Sequence, residues 1–213
     1  MRLFVLMFCI SVNVFADSSL KGLEVHLSQQ LESKNIKDNE ELYLHLKRNK
    51  DYIGGAIFEI HDLAFTSILL DQANKAYKGG MYSLEEDELL EKLKEEEVYN
   101  YSKAAKYLHI KLSKYDGESE IELKKRLTSH LMHIGNDPKG FDKLKVKLAN
   151  LGNYLGLSAL MIDELLIKYV ACHAIEKEYG KENCDTRDVF NNIDEKNKRK
   201  YADAAEYIYK KLN

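Results

Sequence analysis

One long apolar stretch occurs twice in this sequence, and the repetition restricts the folds that the chain can adopt. Residues 52–77 align without a gap with residues 154–179, and the identical pairs are Tyr52/Tyr154, Gly54/Gly156, Ile60/Ile162, Leu63/Leu165, Lys75/Lys177 and Tyr77/Tyr179. A second block, residues 101–112, aligns with residues 201–212, and half of its positions are identical. Self-similarity at this scale predicts a tandem duplication of one structural unit.

Composition and apolar spacing predict that both copies are helical. The chain has 213 residues with one Pro and no Trp, and its abundant Lys, Glu, Leu and Ala favour helix over strand. Residues 52–77 carry two apolar stripes at helical spacing, Ile53, Ile57, Ile60, Ala64 and Ile68 on one and Phe58, Phe65 and Leu69 on the other. A helix with two apolar stripes is buried on more than one side, so this segment is expected to be the central helix of its copy.

The predicted fold is all-α, a tandem duplication of two four- to five-helix units, each around one long central helix. The predicted organisation is a signal peptide at residues 1–16, repeat 1 at 17–114, a linker at 115–120 and repeat 2 at 121–213. Further helices are predicted at residues 20–32, 40–47, 84–94, 98–114 and 141–151.

Several short side chains are predicted to mark where these helices begin and end. Asp51 and Asn153 are expected to cap the two long helices, because a short side-chain oxygen can accept from the free N–H groups of a first turn. Ser83 and Glu86 have capping-box spacing, and Gly79-Gly80 is expected to end the first long helix. Gly54 is expected to let a neighbouring helix approach closely.

The first residues predict export. Arg2 precedes an apolar run at residues 3–14, and Val14 and Ala16 fit a signal peptidase site. The run is too short to span a bilayer, so the expected localisation is periplasmic or secreted, with no membrane span after signal removal. A lipoprotein signal through Cys9 is the alternative. The net charge is −3 with acidic and basic residues interspersed, which does not favour a nucleic-acid partner.

Two cysteines remain after removal of the signal peptide, Cys172 and Cys184. An even number of cysteines in an exported chain favours a disulfide, which would stabilise the fold by roughly 3 kcal/mol in the chain-entropy model. Two free thiols are the alternative, and a catalytic thiol is less favoured because no sequence pattern frames either cysteine.

Polar residues on the predicted helices admit a chemical interpretation and a structural one. His130 and His133 have the spacing of a zinc pair, but no third ligand is marked, so packing or surface roles are favoured. His61/Asp163 and Asp62/Glu164 interrupt the long helices with polar groups that could be catalytic, but an exposed stripe is favoured. The acidic run at residues 85–97 is interpreted as a solvated helix face, with electrostatic steering of a basic partner as the alternative. No catalytic, metal or cofactor site is therefore predicted.

Tyrosines are the strongest interface signal in the sequence. Eight of them form four pairs that recur in the two copies, Tyr52/Tyr154, Tyr77/Tyr179, Tyr101/Tyr201 and Tyr107/Tyr207, and are interpreted as packing at the half-buried ends of helices. Tyrosine is also enriched at protein interfaces. Tyr82, Tyr99, Tyr115 and Tyr209 are not repeated and are therefore the predicted interface residues.

The order of these features resembles a known family. An aromatic-aliphatic-Gly opening of a long helix (Tyr52-Ile53-Gly54), an acid-rich helix (residues 83–90) and a terminal helix with Ala104-Ala105 follow a signal peptide, and Tyr154-Leu155-Gly156 and Ala204-Ala205 repeat the pattern. This resembles the small helical periplasmic immunity proteins that protect bacteria from type VI secretion effectors. The resemblance implies a non-enzymatic protein-interaction module, an immunity or inhibitor protein whose partner is a protein.

Two other function classes remain open from the sequence. A periplasmic carrier would hold a small ligand or a metal in a cleft between the copies, and elemental analysis with native mass spectrometry would detect it. An enzyme would need a concave pocket with convergent Asp, Glu or His side chains.

Overall fold

The computed structural model describes residues 50–76, 85–112 and 119–213, together with Tyr43, Leu44 and Leu46. Its helices are α1 (Tyr52–Ala76), α2 (Glu86–Glu91), α3 (Glu95–Leu112), α4 (Glu120–His130), α5 (Phe141–Asn150), α6 (Tyr154–Tyr179), α7 (Thr186–Val189) and α8 (Glu195–Lys211), with a 3-10 turn at Leu131–His133. No strand occurs among these residues, and the prediction of an all-α fold is confirmed.

Four long helices form the body of the described part of the chain. α1 packs against α6 and α3, and α8 packs against α6 and α3, so the four helices form a closed ring. Close contacts join Gly54 near the start of α1 to Tyr169 of α6, and Gly156 near the start of α6 to Ser67 of α1. These crossed contacts mean that α1 and α6 run antiparallel. The shorter α4 packs on α8, and α5 packs on α6.

The two longest helices, α1 and α6, supply half of the buried apolar core residues among those described. Ile57, Ile60, Leu63, Ala64 and Ile68 of α1 are buried, and α6 is buried almost without interruption from Leu155 to Leu166. The core also includes apolar side chains of α3, α4, α5 and α8. Each Leu or Ile removed from water contributes about 1.5–3 kcal/mol. Leu69, predicted to face inward, is instead exposed, because no described helix covers that side of α1.

The segment Tyr52–Ala73 of α1 is long and apolar enough to cross a membrane when judged by length and composition alone, and it is the one such segment among the described residues. Within the protein, 56% of its most apolar window is buried. Buried core helices meet the same criterion, and the packing of α1 against α6 and α3 accounts for its composition.

α1 and α6 begin in the same way. Asp51 Oδ1 accepts the N–H of Gly54 at 2.9 Å, and Asn153 Oδ1 accepts the N–H of Gly156 at 2.8 Å. Both predicted N-caps are confirmed. The residue before each cap, Lys50 or Gly152, has a positive φ, and the N–H of each cap donates to a leucine carbonyl of the preceding turn at 2.9 Å.

Gly54 and Gly156 allow α1 and α6 to approach closely. A Cβ atom at Gly54 would lie 2.8 Å from Leu46 Cδ2 and 3.0 Å from Tyr169 Cε1, and one at Gly156 would lie 2.9 Å from Ser67 Oγ. Real Cβ atoms essentially never pack closer than 3.0 Å to a non-bonded heavy atom, so a side chain at either position would require a shift. The close approach predicted at Gly54 is confirmed and occurs at Gly156 as well.

The structure corrects some helix boundaries. α2 spans Glu86–Glu91 rather than residues 84–94, and α3 begins at Glu95 rather than at residue 98. Glu85, not Ser83, occupies the N-cap position of α2 and makes no side-chain cap bond. A capping box is instead formed by Ser119 and Glu122 at the start of α4. The short α7, for which the sequence made no prediction, begins at Thr186 with Asp185 as its cap.

Several predictions lie outside the described residues. They are the signal peptide at 1–16, the helix at 20–32, Ser83 of the predicted capping box and the Gly79-Gly80 helix end. Of the predicted helix at residues 40–47, the structure describes Tyr43, Leu44 and Leu46, and all three are helical.

Candidate functional site

The polar groups in the middle of the long helices face each other inside the bundle. His61 Nδ1 of α1 lies 2.7 Å from Asp163 Oδ1 of α6, and the two residues are 1% and 3% exposed. The interpretation of these positions as an exposed stripe is therefore wrong. A buried polar group is costly unless it is hydrogen-bonded, and each residue provides a partner for the other. Burial at this depth keeps both away from any substrate in solvent.

Glu164, also predicted to be exposed, is an ion-pair centre. Its carboxylate binds Lys145 of α5 and Lys200 of α8. Burial opposes ionisation of Glu164, but the two ammonium groups outweigh it and lower the pKa of the carboxyl. The Lys145 pKa is raised: burial lowers it, but Glu164 and Asp142 outweigh that effect. These residues are held charged to join α5, α6 and α8, so they lack the near-neutral pKa of a proton-transfer group.

Glu86 departs from the solvated face expected for residues 85–97, because its side chain is buried. Its carboxylate accepts the N–H groups of Tyr154 at 3.0 Å and Leu155 at 3.2 Å, and the Tyr207 hydroxyl donates to it at 2.9 Å. Lys211 forms an ion pair with it at 2.7 Å. Negative charge is favourable at a helix N-terminus, so Glu86 stabilises the start of α6. No pattern near Glu86 indicated this role.

His130 and His133 do not form a metal pair. His130 Nε2 lies 2.9 Å from Asp203 Oδ2, and Arg126 donates to the same carboxylate at 2.8 Å. His133 is exposed in the 3-10 turn that follows α4. Within the described ranges, no group of three or more His, Cys, Asp or Glu residues could hold a metal ion.

The disulfide predicted between Cys172 and Cys184 is present in the structure, with the two Cα atoms 5.4 Å apart. Cys172 is buried on α6, and Cys184 follows that helix. The bond therefore ties the loop after α6 back onto the helix.

The recurring tyrosines are used in packing. Tyr101 and Tyr201 are buried, and the ring centroids of Tyr154 and Tyr207 are 5.9 Å apart. Burial, with nearby Asp51 and Tyr52, raises the pKa of Tyr107. Tyr52 and Tyr179 are exceptions, since both are mostly exposed. Tyr77 lies outside the described residues.

Two of the four predicted interface tyrosines can be placed. Tyr99 on α3 is 66% exposed, with Lys103 Nζ 6.0 Å from its ring centroid. Tyr209 on α8 is half-buried, and Lys106 Nζ of α3 lies 5.3 Å from its ring centroid. Tyr82 and Tyr115 lie outside the described residues.

Tyr99 and the two lysines lie on one exposed face of α3. Tyr99, Lys103, Lys106 and Ile110 are spaced by four, three and four positions and are all exposed, whereas the opposite side of the helix is buried. At a rise of about 1.5 Å per residue the row is about 16 Å long. Tyr209 of α8 lies beside this row, where its ring contacts Lys106. We call these five residues the α3 surface. The helical spacing of Ile110 with Tyr99 was a signal that sequence reasoning missed.

The α8 positions that align with this row are covered only in the middle, because Asp203 and Glu206 are buried whereas Arg199 and Lys210 are exposed. α8 is buried at every position from Tyr201 to Ile208, including Asp203 and Glu206. The cover over Asp203 is α4, which contributes the buried Leu123 and Leu127 as well as the Arg126 ion pair. α3 and α8 pack against each other in antiparallel directions, with Lys106 beside Tyr209 and His109 beside Glu206.

No protein-family model, curated protein or solved structure that was compared with this chain matches it.

Proposed function

We propose that this chain is an exported, non-enzymatic helical module that binds a partner protein through the α3 surface. The observation that carries the proposal is the exposed row of Tyr99, Lys103, Lys106 and Ile110 beside Tyr209. Tyrosine is enriched at protein interfaces and among the residues that contribute most to binding. The lysine stems add apolar contact area while their ammonium groups stay in water.

The polar clusters support a binding function over catalysis. His61–Asp163, Glu164 with its two lysines, and Glu86 with Tyr207 each link helices that are distant in the sequence. Their side chains form hydrogen bonds and ion pairs within the bundle.

Export is supported by two features of different origin. The first residues have the pattern of a signal peptide, and the Cys172–Cys184 disulfide is compatible with an oxidising compartment. Within the export proposal, the partner is a secreted or periplasmic protein, and we propose an immunity or inhibitor role in which binding occludes the partner's active site.

We also propose that the bundle arose by tandem duplication. His61 and Asp163 are 102 positions apart, which is the offset of the sequence repeat, and equivalent residues meet in this way at a pseudo-twofold axis. The Gly54–Tyr169 contact has its counterpart in Gly156–Ser67 at the same offset. The shared capping by Asp51 and Asn153 supports the same interpretation.

The test is a pull-down with the oxidised mature protein as bait, against extracts of the host and of competing bacteria. A Tyr99→Ala/Ile110→Ala variant should lose a stoichiometric partner that the wild type retains. An Ile175→Ala/Tyr179→Ala variant is the matched control, because both side chains are exposed elsewhere, at the end of α6. Equal capture by both variants, or no captured protein, would contradict the proposal. Inhibition of the partner's activity by the wild type would support the immunity role.

A further inference from the structure

We propose that the chain's own residues 20–32 pack on Tyr52 and Tyr107, beside the start of α1. This inference rests on the tandem duplication proposed above and goes beyond the partner-binding role. Two observations carry it, namely the way α4 covers the matching tyrosines in the second half of the chain and a further short alignment in the sequence.

α4 covers a pair of tyrosines in the second half. Lys124 of α4 lies over both rings, with Nζ 5.5 Å from the ring centroid of Tyr154 and 5.9 Å from that of Tyr207. The Thr128 hydroxyl of α4 lies 3.3 Å from the Tyr154 hydroxyl, and Leu127 between them is fully buried. Under this cover Tyr154 is half-buried and Tyr207 is 1% exposed.

The aligned pair in the first half is more exposed. Tyr52 and Tyr107 align with Tyr154 and Tyr207, and burial together with nearby Asp51 and Tyr52 raises the pKa of Tyr107, so the two tyrosines are neighbours here as well. Tyr52 is 65% exposed, and Tyr107 is only half-buried. α4 and α5 precede α6, whereas the helices that the structure describes in full begin with α1.

The sequence ahead of α1 contains a counterpart of α4. Residues 20–27 align without a gap with residues 124–131, and four of the eight pairs are identical, Lys21/Lys125, Leu23/Leu127, His26/His130 and Leu27/Leu131. The offset is 104 here and 102 in the long helices, so the connection that follows is two residues longer in the first half and can span the same distance.

The turn just before α1 already follows the second half. Leu46 and Leu148 are both 0% exposed. The Leu46 carbonyl accepts the N–H of Asp51, and the Leu148 carbonyl accepts the N–H of Asn153, each at 2.9 Å. The chain therefore enters α1 as it enters α6, which brings the preceding residues to the equivalent side of the bundle.

The charges that differ between the two segments change together with the surface beneath them. Arg126 of α4 donates to Asp203 at 2.8 Å. The first half has Lys103 in place of Asp203 and Gly22 in place of Arg126. An arginine opposite Lys103 would be a like-charge contact, and Gly22 avoids it. A neutral imidazole at His26 can accept a hydrogen bond from the Lys103 ammonium group.

Two further differences fit the tyrosine pair. Leu20 aligns with Lys124, the residue that lies over both rings in the second half, and a leucine side chain there would bury the apolar faces of Tyr52 and Tyr107. Glu24 aligns with Thr128, so its carboxylate would lie where it can accept a hydrogen bond from the Tyr52 hydroxyl.

This packing leaves the proposed partner site open. On α8, Arg199 and Lys210 stay exposed beside α4, and they align with Tyr99 and Ile110. Residues 20–32 in the place that corresponds to α4 would therefore leave Tyr99 and Ile110 in solvent, so the segment and a partner protein can be bound at the same time.

The first test is crosslinking of paired cysteines in the oxidised mature protein with dibromobimane, which joins two free thiols at short range and leaves a disulfide intact. The His26→Cys/Lys103→Cys variant should crosslink, because the aligned His130 and Asp203 side chains lie 2.9 Å apart. The positive control is His130→Cys/Asp203→Cys. The matched negative control is His26→Cys/Ile110→Cys, which should lose the crosslink.

Hydrogen exchange gives a second measurement that needs no cysteines. Amides of residues 20–27 should exchange slowly in the wild type, and Tyr52→Asp should speed their exchange without affecting residues 124–131. Tyr99→Asp is the matched control, because Tyr99 is 66% exposed and Tyr52 is 65% exposed, and it should leave residues 20–27 protected.

Fast exchange of residues 20–27 in the wild type would overturn the inference. So would a His26→Cys/Lys103→Cys variant that fails to crosslink, or equal crosslinking of His26→Cys to Ile110→Cys. If those results occur while capture of a partner still depends on Tyr99 and Ile110, the proposed function stands and this inference fails.

Discussion

The Nδ1 atom of His61 lies 2.7 Å from Oδ1 of Asp163, and the two side chains occupy matching positions in α1 and α6 at the centre of the bundle. The bond joins the two halves of the sequence where the longest helices cross. Removing one member of a buried hydrogen-bonded pair costs more than replacing both members by apolar groups.

We therefore expect Asp163→Leu to lower the free energy of unfolding by about 3 kcal/mol. The double change His61→Leu/Asp163→Leu should be more stable than the single variant, because neither polar group then needs a partner. Urea unfolding followed by circular dichroism measures both. A double variant at least as unstable as the sum of the two single variants would show that the pair contributes no coupling.

Gly54→Ala should destabilise the protein by about 1–3 kcal/mol, because the added Cβ would lie 2.8 Å from Leu46 Cδ2 and 3.0 Å from Tyr169 Cε1. Gly55→Ala is the matched control on the same helix, since nothing lies within 4 Å of its added Cβ. That change should be neutral or stabilising by up to about 1 kcal/mol through helix propensity. Thermal melts of the two variants should differ in direction, and similar melts would refute the close packing at Gly54.

Removal of the Cys172–Cys184 disulfide should lower the free energy of unfolding by about 3 kcal/mol. The Cys172→Ala/Cys184→Ala variant and the reduced wild type should both show the loss. Hydrogen exchange should locate faster opening at the C-terminal end of α6 and the loop that follows, with little change on α3. Protection unchanged at Tyr179 and beyond would mean that the bond does not hold this loop.

The pH dependence of stability should report the Glu164 ion pairs. The folded-state pKa of Glu164 is lowered by Lys145 and Lys200, so its contribution is fully present above the unfolded-state value of about 4.3. It is lost as the pH falls from that value through the folded-state pKa. Wild type should be more stable than Glu164→Gln at pH 7, and urea unfolding should show the gap narrowing below about pH 4. A gap independent of pH would contradict charge pairing.

Much of the fold could be predicted from the sequence because its signals are local. Helical spacing of apolar residues located α1 and α6, and the short side chains of Asp51 and Asn153 located their first turns. The Cys172–Cys184 disulfide was predicted from the even number of cysteines that follow the export signal. The start of α2 was predicted less accurately. Glu86 was predicted to close a capping box, but its side chain bonds instead with Tyr154 and Tyr207, which are distant in the sequence.

The candidate site was predictable only in part. Tyr99 and Tyr209 were singled out because they are not repeated, but nothing in the sequence indicated that Lys106 would lie against the Tyr209 ring. Ile110 was overlooked because a single exposed aliphatic residue is common on protein surfaces. It belongs to the candidate site because Tyr99, Lys103 and Lys106 lie on the same exposed face of α3.

By itself, the sequence determined the helices, their caps and the likeness of the two halves, because these depend on residues only a few positions apart or on direct alignment. Only the tertiary structure decided which polar residues are buried and which helix face is left open. His61 and Asp163 became a buried pair because α1 crosses α6 at those positions. Asp203 of α8 is buried because α4 packs on it, whereas Tyr99, Lys103 and Ile110 of α3 stay exposed, and such burial depends on elements that are distant along the chain.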